Sequence, residues 1–407
     1  MAEVYREVAP VADTRRVEAG RDRATLAIVL GVTLLTLTLG FLQKSPCLGP
    51  WDGRQYALLC YSDVVPLFHT ERLDEGAVPY LGADNEYPVL TGLAMALAGI
   101  PADSSSSFFV WNALMLAALG LVTAGVLARV VGRRALYFAA APTLLVYAFV
   151  NWDLLAVAAA TLGTWAFLRR RDGLAGLALG VGAAAKLYPA LLVLPFAISR
   201  LREGRLDRAG LLAGAGAAAW GAINLPFAIL APERWSLFFR FSAERPADWD
   251  SIWHLTQRHL GWPGSIEAVN VVAGLAFVAL AAGLWVAATR IRPGFPAWTF
   301  GFPLLVAFLL TGKVYSPQFS LWLLPWFALA LPHLPLFLAF SAAELAVFVT
   351  RFRWFAEMAG QDGGVPFWAF ELALVARTAV LVWALMLWVR RPTPEPEPER
   401  PLQEAAS

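Results

Sequence analysis

Residues 44–91, KSPCLGPWDGRQYALLCYSDVVPLFHTERLDEGAVPYLGADNEYPVLT, form the longest polar segment between two apolar stretches of this 407-residue chain. The uncharged apolar run 24–42 comes immediately before it and is long enough to cross a membrane as a helix. That run is longer than the apolar part of a usual signal peptide, and no Ala-x-Ala-like cleavage site follows it, which indicates an uncleaved anchor. We therefore expect residues 44–87 to form a loop outside the membrane, directly after the first span.

The composition is that of a membrane protein. Hydrophobic residues make up 58% of the chain and charged residues 15%, with a mean hydropathy of +0.59, whereas soluble domains carry about 25% charged residues. A single soluble core cannot bury this much apolar surface, so we expect an all-α polytopic membrane protein. The four His are spread along the chain and no Gly-rich phosphate loop follows a strand pattern. Neither a metal, nor a cofactor, nor a nucleic-acid partner is expected.

About twelve apolar runs can serve as membrane spans. They are 24–42, 108–128, 136–150, 154–168, 174–185, 190–198, 209–231, 268–289, 298–311, 319–330, 336–349 and 367–388. Residues 88–100 are too few to span comfortably at about 1.5 Å per residue, so we expect them to re-enter. As a thirteenth span they would turn the Arg-rich loops near 129, 169 and 200 outward. With twelve spans, most of the 32 basic residues lie inside, as the positive-inside rule requires.

This topology places both termini in the cytoplasm and two long loops outside. Residues 1–23 and the Pro/Glu-rich residues 391–407 are expected to be disordered cytoplasmic tails, on either side of a transmembrane domain at 24–390. The outer loops are 44–87 and 232–267, and we expect interfacial helices in both. The protein is therefore expected to be a multi-pass protein of the plasma membrane.

Polar residues that look out of place in such an apolar chain gather on the outer side of this topology. An ionisable group near the apolar core costs about 2.5–3.5 kcal/mol on insertion scales, so their convergence predicts a site on that face. The candidate residues are Asp63, Glu86, Tyr87, Asn151, Asp153, Lys186, Tyr188, Arg240, Arg245, His254, Lys313 and Gln318.

Asp63 opens a short amphipathic pattern. Val64, Leu67 and Phe68 follow it at helical spacing, which predicts a short helix lying on the membrane surface. The carboxylate of Asp63 can then have either of two roles. It can cap the first turn of that helix, or it can act as a general base at the membrane surface.

Candidate cations come from two lysines and from the second outer loop. Lys186 follows three alanines, and Lys313 lies between two spans. Each can either extend its amine to the membrane surface or bind a phosphate. Arg240, Arg245 and His254 stand among four Trp, a set that suits sugar stacking and phosphate pairing. The same set also suits an interfacial helix whose basic residues face lipid headgroups.

The two cysteines, Cys47 and Cys60, both lie in the first outer loop. A disulfide persists outside the cytoplasm, and here it would close a loop of about a dozen residues, worth roughly 3 kcal/mol in the chain-entropy model. The alternative is two free thiols. We treat the pair as a candidate disulfide.

Six short runs stand in a recognisable order and spacing. They are Cys60-Tyr61-Ser62-Asp63, Pro79-Tyr80, Glu86-Tyr87-Pro88, Asn151-Trp152-Asp153, Ala185-Lys186-Leu187-Tyr188-Pro189, and Lys313 with Ser316-Pro317-Gln318. Together the runs resemble glycosyltransferase family 87, over roughly residues 24–391. These are actinobacterial membrane enzymes of the GT-C class that use polyprenyl-phosphate sugars. The resemblance implies a GT-C fold and makes Asp63 the expected catalytic base, although Asp52, Asp74 and Asp84 share its loop.

The resemblance also implies a reaction. A sugar, mannose by preference, would pass with inversion from a polyprenyl-phosphate donor to a cell-envelope glycolipid or glycan on the outer face, among membrane lipids. The other candidate residues would bind donor or acceptor. The nearest variant is an arabinofuranosyltransferase that uses polyprenyl-phosphate arabinose. A transporter or flippase of lipid-linked sugars is the alternative from another class. No internal repeat is detectable and the polar residues gather at one face, which favours the enzyme.

Overall fold

The computed structural model describes residues 11–49 and 51–392, and over these residues the protein is built from helices. In chain order the α-helices are α1 (Val11–Lys44), α2 (Arg54–Ala57), α3 (Val64–Thr70), α4 (Val89–Gly99), α5 (Ser105–Val131), α6 (Leu136–Ala139), α7 (Pro142–Tyr147), α8 (Asp153–Leu168), α9 (Asp172–Ala185), α10 (Tyr188–Arg202), α11 (Leu206–Leu230), α12 (Pro232–Glu244), α13 (Ile252–Leu260), α14 (Ile266–Ile291), α15 (Gly301–Thr311), α16 (Leu324–Leu329), α17 (Leu334–Met358) and α18 (Phe367–Arg390). The 3₁₀ helices are Ser45–Cys47, Leu73–Glu75, Gly132–Ala135, Ala297–Phe300 and Pro317–Leu323.

Six of the described helices are long and apolar enough to cross a membrane: α1, α5, α11, α14, α17 and α18. Four shorter apolar helices, at Val89–Gly99, Asp153–Leu168, Asp172–Ala185 and Ala297–Thr311, stand among them. An all-α polytopic architecture is therefore present, while the expected count of about twelve spans stays a prediction.

Two of the expected spans are broken by proline. The run 136–150 divides into α6 and α7, because Pro142 begins α7 and the residue before a proline is driven out of the helical region. Ala141, just before it, is extended. The run 319–330 divides into a 3₁₀ helix and α16, which has Pro325 in its first turn.

The N-terminal segment differs from expectation where it is described, whereas the last helix ends at Arg390, at the expected boundary. Helix α1 begins at Val11, so residues 11–23 belong to a helix rather than to the disordered tail expected there. The remaining parts of the two expected tails, residues 1–10 and 393–407, lie outside the described residues.

Helices α9 and α11 pack closely because glycines line their contact. A Cβ atom on Gly176 would overlap the carbonyl oxygen of Leu212, and one on Gly180 would overlap the carbonyl oxygen of Gly216. Small residues four apart let two membrane helices bring their backbones together and gain dispersion contacts. This contact holds α9, and with it the residue that follows α9, in a fixed place.

The first long loop is fastened to the bundle at its middle. Cys47 and Cys60 form a disulfide across it. The Ser62 hydroxyl donates to the Phe149 carbonyl at 2.7 Å, and the Asp63 amide donates to the Val150 carbonyl at 2.8 Å. The loop also carries α3, while the second long loop carries α12 and α13, none of whose residues is fully buried.

We expect Gly180→Val to prevent close packing of α9 on α11, because the new side chain meets backbone rather than a movable side chain. Overpacking typically costs about 1–3 kcal/mol. The measurement is the yield and apparent melting temperature of monodisperse protein in detergent. Gly214→Val is the matched control, because a Cβ there meets nothing within 4 Å. Equal losses in both variants would contradict the glycine contact.

Candidate active site

Asp63 lies at the start of α3 but does not cap it. Its side chain makes no hydrogen bond to the helix amides. Instead Oδ1 accepts a hydrogen bond from the Tyr61 hydroxyl at 2.6 Å, and Oδ2 accepts one from Nδ2 of Asn151 at 2.7 Å. A carboxylate oxygen can accept two hydrogen bonds, so each oxygen keeps a further lone pair. The carboxylate is therefore fixed in place and still able to accept a proton.

Tyr61 remains a hydrogen-bond donor at neutral pH. Removal from water raises the pKa of its phenol well above the ordinary value, and the nearby Asp63 charge adds to this effect. The Tyr61 ring stacks on Phe352 of α17, with 4.9 Å between ring centroids, and packs against Trp51 at 5.2 Å. These ring contacts hold Tyr61 in place, and its hydroxyl in turn fixes the position of Asp63.

Asn151 connects Asp63 to the bundle. Its Oδ1 accepts the backbone N–H of Trp152 at 2.7 Å, which leaves Nδ2 to donate to Asp63 and to the Tyr87 hydroxyl, 3.0 Å away. The Trp152 indole donates in turn to Oδ1 of Asn112 at 2.7 Å. The orientation of the Asn151 amide is thus set on both sides, and it matches a negatively charged Asp63.

Asp153 and Lys186 form a buried ion pair beside this network. Asp153, the first residue of α8, is fully buried, and its Oδ1 accepts from the Trp322 indole at 2.8 Å. The Lys186 Nζ lies 3.7 Å from the other oxygen. That amine is also 5.6 Å from the ring centroid of Tyr87 and 5.3 Å from that of Phe319. With 13% of its side chain exposed, Lys186 is held inward and does not extend its amine to the membrane surface.

Two further candidates lie behind this pair. The Tyr188 ring stacks on Trp322, with 4.3 Å between centroids. Gln318 is buried next to Phe319 in the 3₁₀ helix. The structure therefore groups seven of the twelve candidates at one end of the short helices: Asp63, Tyr87, Asn151, Asp153, Lys186, Tyr188 and Gln318.

Glu86 is exposed, whereas its neighbour Asn85 is buried. The Asn85 side chain accepts the Tyr87 amide at 2.8 Å and donates to Glu71 at 3.0 Å. Sequence reasoning missed Glu71 because only its position in space links it to the site.

Lys313 and the three cationic candidates of the second loop contact residues of that loop and of α18. The Lys313 amine donates to the carbonyls of Ala243 and Arg245 at 2.9 and 2.8 Å, and Arg245 pairs with Asp248 at 3.2 Å. Arg240 donates to a carbonyl within α12. The His254 ring packs against Phe367, with 5.8 Å between centroids. The structure does not bring this group to Asp63 through any of these contacts.

The other aspartates of the first loop form pairs at the surface. Asp52 lies 3.5 Å from Arg54, Asp74 lies 2.7 Å from His69 and Asp84 lies 3.2 Å from Arg234. None of these three pairs involves a residue of the group around Asn151 and Lys186. Among the four aspartates of this loop, Asp63 is the one bonded to that group.

A second buried charge cluster was not anticipated. Arg351 forms an ion pair with Asp250, and Arg377 donates to the Asp250 carbonyl at 2.7 Å. The Arg377 guanidinium lies 3.7 Å from the centre of the Tyr315 ring, whose hydroxyl donates to Glu344 at 3.1 Å. Charged residues within apolar runs were the signal that could have revealed this cluster.

These features define a polytopic membrane protein with a carboxylate and a buried cation at one end of its short helices. The family model of glycosyltransferase family 87 matches residues 86–317, more than half of the chain, and the chain belongs to that family. The match includes Asn151, Asp153 and Lys186 and begins beyond Asp63. The protein is thus a membrane glycosyltransferase.

A solved structure is similar to the chain as well. The crystal structure of ArnT from Cupriavidus metallidurans bound to undecaprenyl phosphate aligns with a TM-score of 0.44 and 15% sequence identity. The alignment covers 90% of this chain and 77% of that one. No curated protein matches the chain.

Glu71 makes stability depend on pH. Burial raises its pKa to about 7, the charges of Glu86 and Asp84 add to this, and the Asn85 hydrogen bond opposes it. Between pH 4.5, the ordinary pKa of a glutamate side chain, and about 7, the folded protein holds a proton that the unfolded chain releases. Stability therefore falls as pH rises through this window.

We expect Glu71→Gln to raise the apparent melting temperature at pH 8 and to flatten its dependence between pH 5 and 8. The glutamine oxygen can still accept from Asn85. Glu75→Gln is the control, because Glu75 forms an exposed pair with Arg72. A Glu71→Gln profile parallel to that of the wild type would refute the assignment.

Proposed function

We propose that this glycosyltransferase moves a sugar, mannose by preference, from a polyprenyl-phosphate donor to a hydroxyl of a cell-envelope glycolipid or glycan. The observation that carries the proposal is the hydrogen-bonded path from the Asp63 carboxylate through Asn151 to Tyr87, whose ring faces the Lys186 amine. A base and a cation thus lie side by side in an apolar bundle. The preference for mannose rests on the family resemblance.

Asp63 is the general base in this proposal. It takes the proton of the acceptor hydroxyl while the hydroxyl oxygen attacks the anomeric carbon. The bond between that carbon and the phosphate oxygen of the donor breaks, and the polyprenyl phosphate leaves with the electron pair. Attack from the side opposite the leaving group inverts the anomeric configuration. The hydrogen bonds from Tyr61 and Asn151 hold the base where the hydroxyl must come.

Lys186 offers positive charge to the departing phosphate. Its amine is already desolvated and positioned by Asp153 and by two aromatic rings, so little reorganisation is needed during the reaction. The Trp322 indole donates to the other oxygen of Asp153 and so helps to fix the carboxylate that positions Lys186. A lipid phosphate is a competent leaving group, so a nucleotide-binding fold is not required.

The proposed location of the reaction is the extracytoplasmic face. The Cys47–Cys60 disulfide lies in the same loop as Asp63, and disulfides persist in oxidising compartments. The Arg-rich ends of the short helices lie at the opposite end of the bundle, which agrees with the positive-inside rule.

Sugar transfer should depend on Asp63. In proteoliposomes supplied with radiolabelled polyprenyl-phosphate mannose and a glycolipid acceptor, we expect Asp63→Asn to lose about a hundredfold or more in rate, because the amide cannot take the proton. Asp74→Asn, in the same loop but paired with exposed His69, is the matched control.

The outcomes separate the parts of this proposal. Full activity of folded Asp63→Asn would refute the role of Asp63 as general base, but the protein would still be a glycosyltransferase. Transfer from polyprenyl-phosphate arabinose and not from the mannose donor would replace mannose by arabinose in the proposal and leave the proposed reaction unchanged. Movement of the donor across the membrane without any transfer would favour a flippase.

Lys186 should act on the chemical step. We expect Lys186→Gln to lower kcat by roughly a hundredfold, the loss typical of removing one stabilising group for developing negative charge. Lys186→Arg retains the positive charge and should recover part of kcat. The measurement is kcat and KM for transfer. If both variants lose equally, or if only KM changes, Lys186 does not stabilise the leaving phosphate.

A further inference from the structure

A cavity of about 590 Å³ lies at the end of the bundle opposite the candidate active site. Helix α8 starts at Asp153 in the site and ends at Leu168 on the cavity wall, about 22 Å away at about 1.5 Å per residue. Helix α10 likewise runs from Tyr188 to Arg202, which also lines the cavity. The cavity is therefore separate from the residues assigned to sugar transfer.

The surroundings of the cavity carry a strong positive charge. The segments 169–172, 200–208 and 290–296 hold nine arginines against three acidic residues. Arg170, Arg200, Arg202 and Glu203 form its charged wall. The positive-inside rule accounts for exposed arginines at a membrane surface, but it does not account for a cavity between them.

Arg200 is built into the floor of this cavity. Only 4% of its side chain is exposed. Its guanidinium bonds to Asp172 at 2.6 Å, to Glu203 at 3.2 Å and to the Phe167 carbonyl at 2.7 Å. These contacts engage all three nitrogens of the guanidinium and fix the position of the wall.

Arg170 and Arg202 differ from Arg200. Arg170 donates to Glu203 at 3.0 Å, and 63% of its side chain is exposed. Arg202 donates to the Phe295 carbonyl at 3.1 Å and lies over the Trp285 ring. A guanidinium carries five N–H groups, and these contacts within the described residues use one on each arginine. Both can therefore bind an anion by two parallel hydrogen bonds, the geometry that suits phosphate.

The cavity wall also includes apolar residues, among them Phe295 and Trp298. A wall of this kind beside two arginines fits an amphiphile whose head is anionic and whose tail is apolar. We propose that this cavity binds the phosphate group of a membrane lipid, with Arg170 and Arg202 on the phosphate and the acyl chains against the aromatic wall. Anionic lipids concentrate positively charged protein segments at the cytoplasmic leaflet.

The test measures lipid binding to the purified full-length protein in detergent by native mass spectrometry. The ligand is dioctanoyl phosphatidylglycerol, and dioctanoylglycerol supplies the same tail without phosphate. We expect the double variant Arg170→Gln/Arg202→Gln to bind the phospholipid at least about tenfold more weakly, because hydrogen bonds to a charged group are lost. Arg205→Gln is the matched control, since Arg205 pairs with Asp207 at 2.9 Å on the same surface.

Equal affinity of the wild type for the two lipids, or equal affinity of all three proteins for the phospholipid, would overturn the proposal. If glycerol 3-phosphate binds as tightly as the phospholipid, the ligand is a soluble phosphate ester and the proposal of a membrane lipid is overturned. If the double variant does not fold, Arg170→Gln alone provides the test, because its side chain is largely exposed. A loss of roughly threefold or more would then support the site, and no loss would refute it.

Discussion

The hydrogen bond from Asn151 to Asp63 is the contact on which the site depends. It joins residues 88 positions apart and couples the first long loop to the start of α8. Two neighbouring hydrogen bonds, from the Ser62 hydroxyl to the Phe149 carbonyl and from the Asp63 amide to the Val150 carbonyl, keep the loop in register. In apolar surroundings an unpaired carboxylate or amide is costly, so each group stabilises the position of the other.

The short helices explain why the polar groups meet. Helix α8 leaves the site at Asp153, and α9 returns after a turn of three residues to end just before Lys186. Two antiparallel neighbours of similar length necessarily bring the first residue of one level with the last residue of the other. The glycine contact between α9 and α11 then prevents Lys186 from moving away from Asp153. An ion pair inside the bundle is thus a consequence of chain order.

Sequence could supply the membrane class, the one-sided gathering of polar residues and the motifs that mark the family. Local patterning, however, left Asp63 two possible roles, and only the structure shows that its side chain bonds to Tyr61 and Asn151 rather than to the helix amides. The hydrogen-bond partner of Asp153 shows more clearly what the sequence alone cannot predict. Trp322 lies 169 residues away and looks like any interfacial Trp in the sequence. The prediction of spans from average hydropathy also missed the helix breaks at prolines, because hydropathy carries no information on where a proline such as Pro142 starts a new helix.

Helix α17 supports both long loops. Phe352 stacks on Tyr61 of the first loop, while the adjacent Arg351 pairs with Asp250 of the second. Burial raises the pKa of Asp250 to about 6, with Arg351 opposing the shift. Removing one partner of a buried pair leaves an uncompensated charge, so this pair fixes the second loop firmly. Both long loops are therefore attached to one helix, and movement of α17 would displace Tyr61 and Asp250 together.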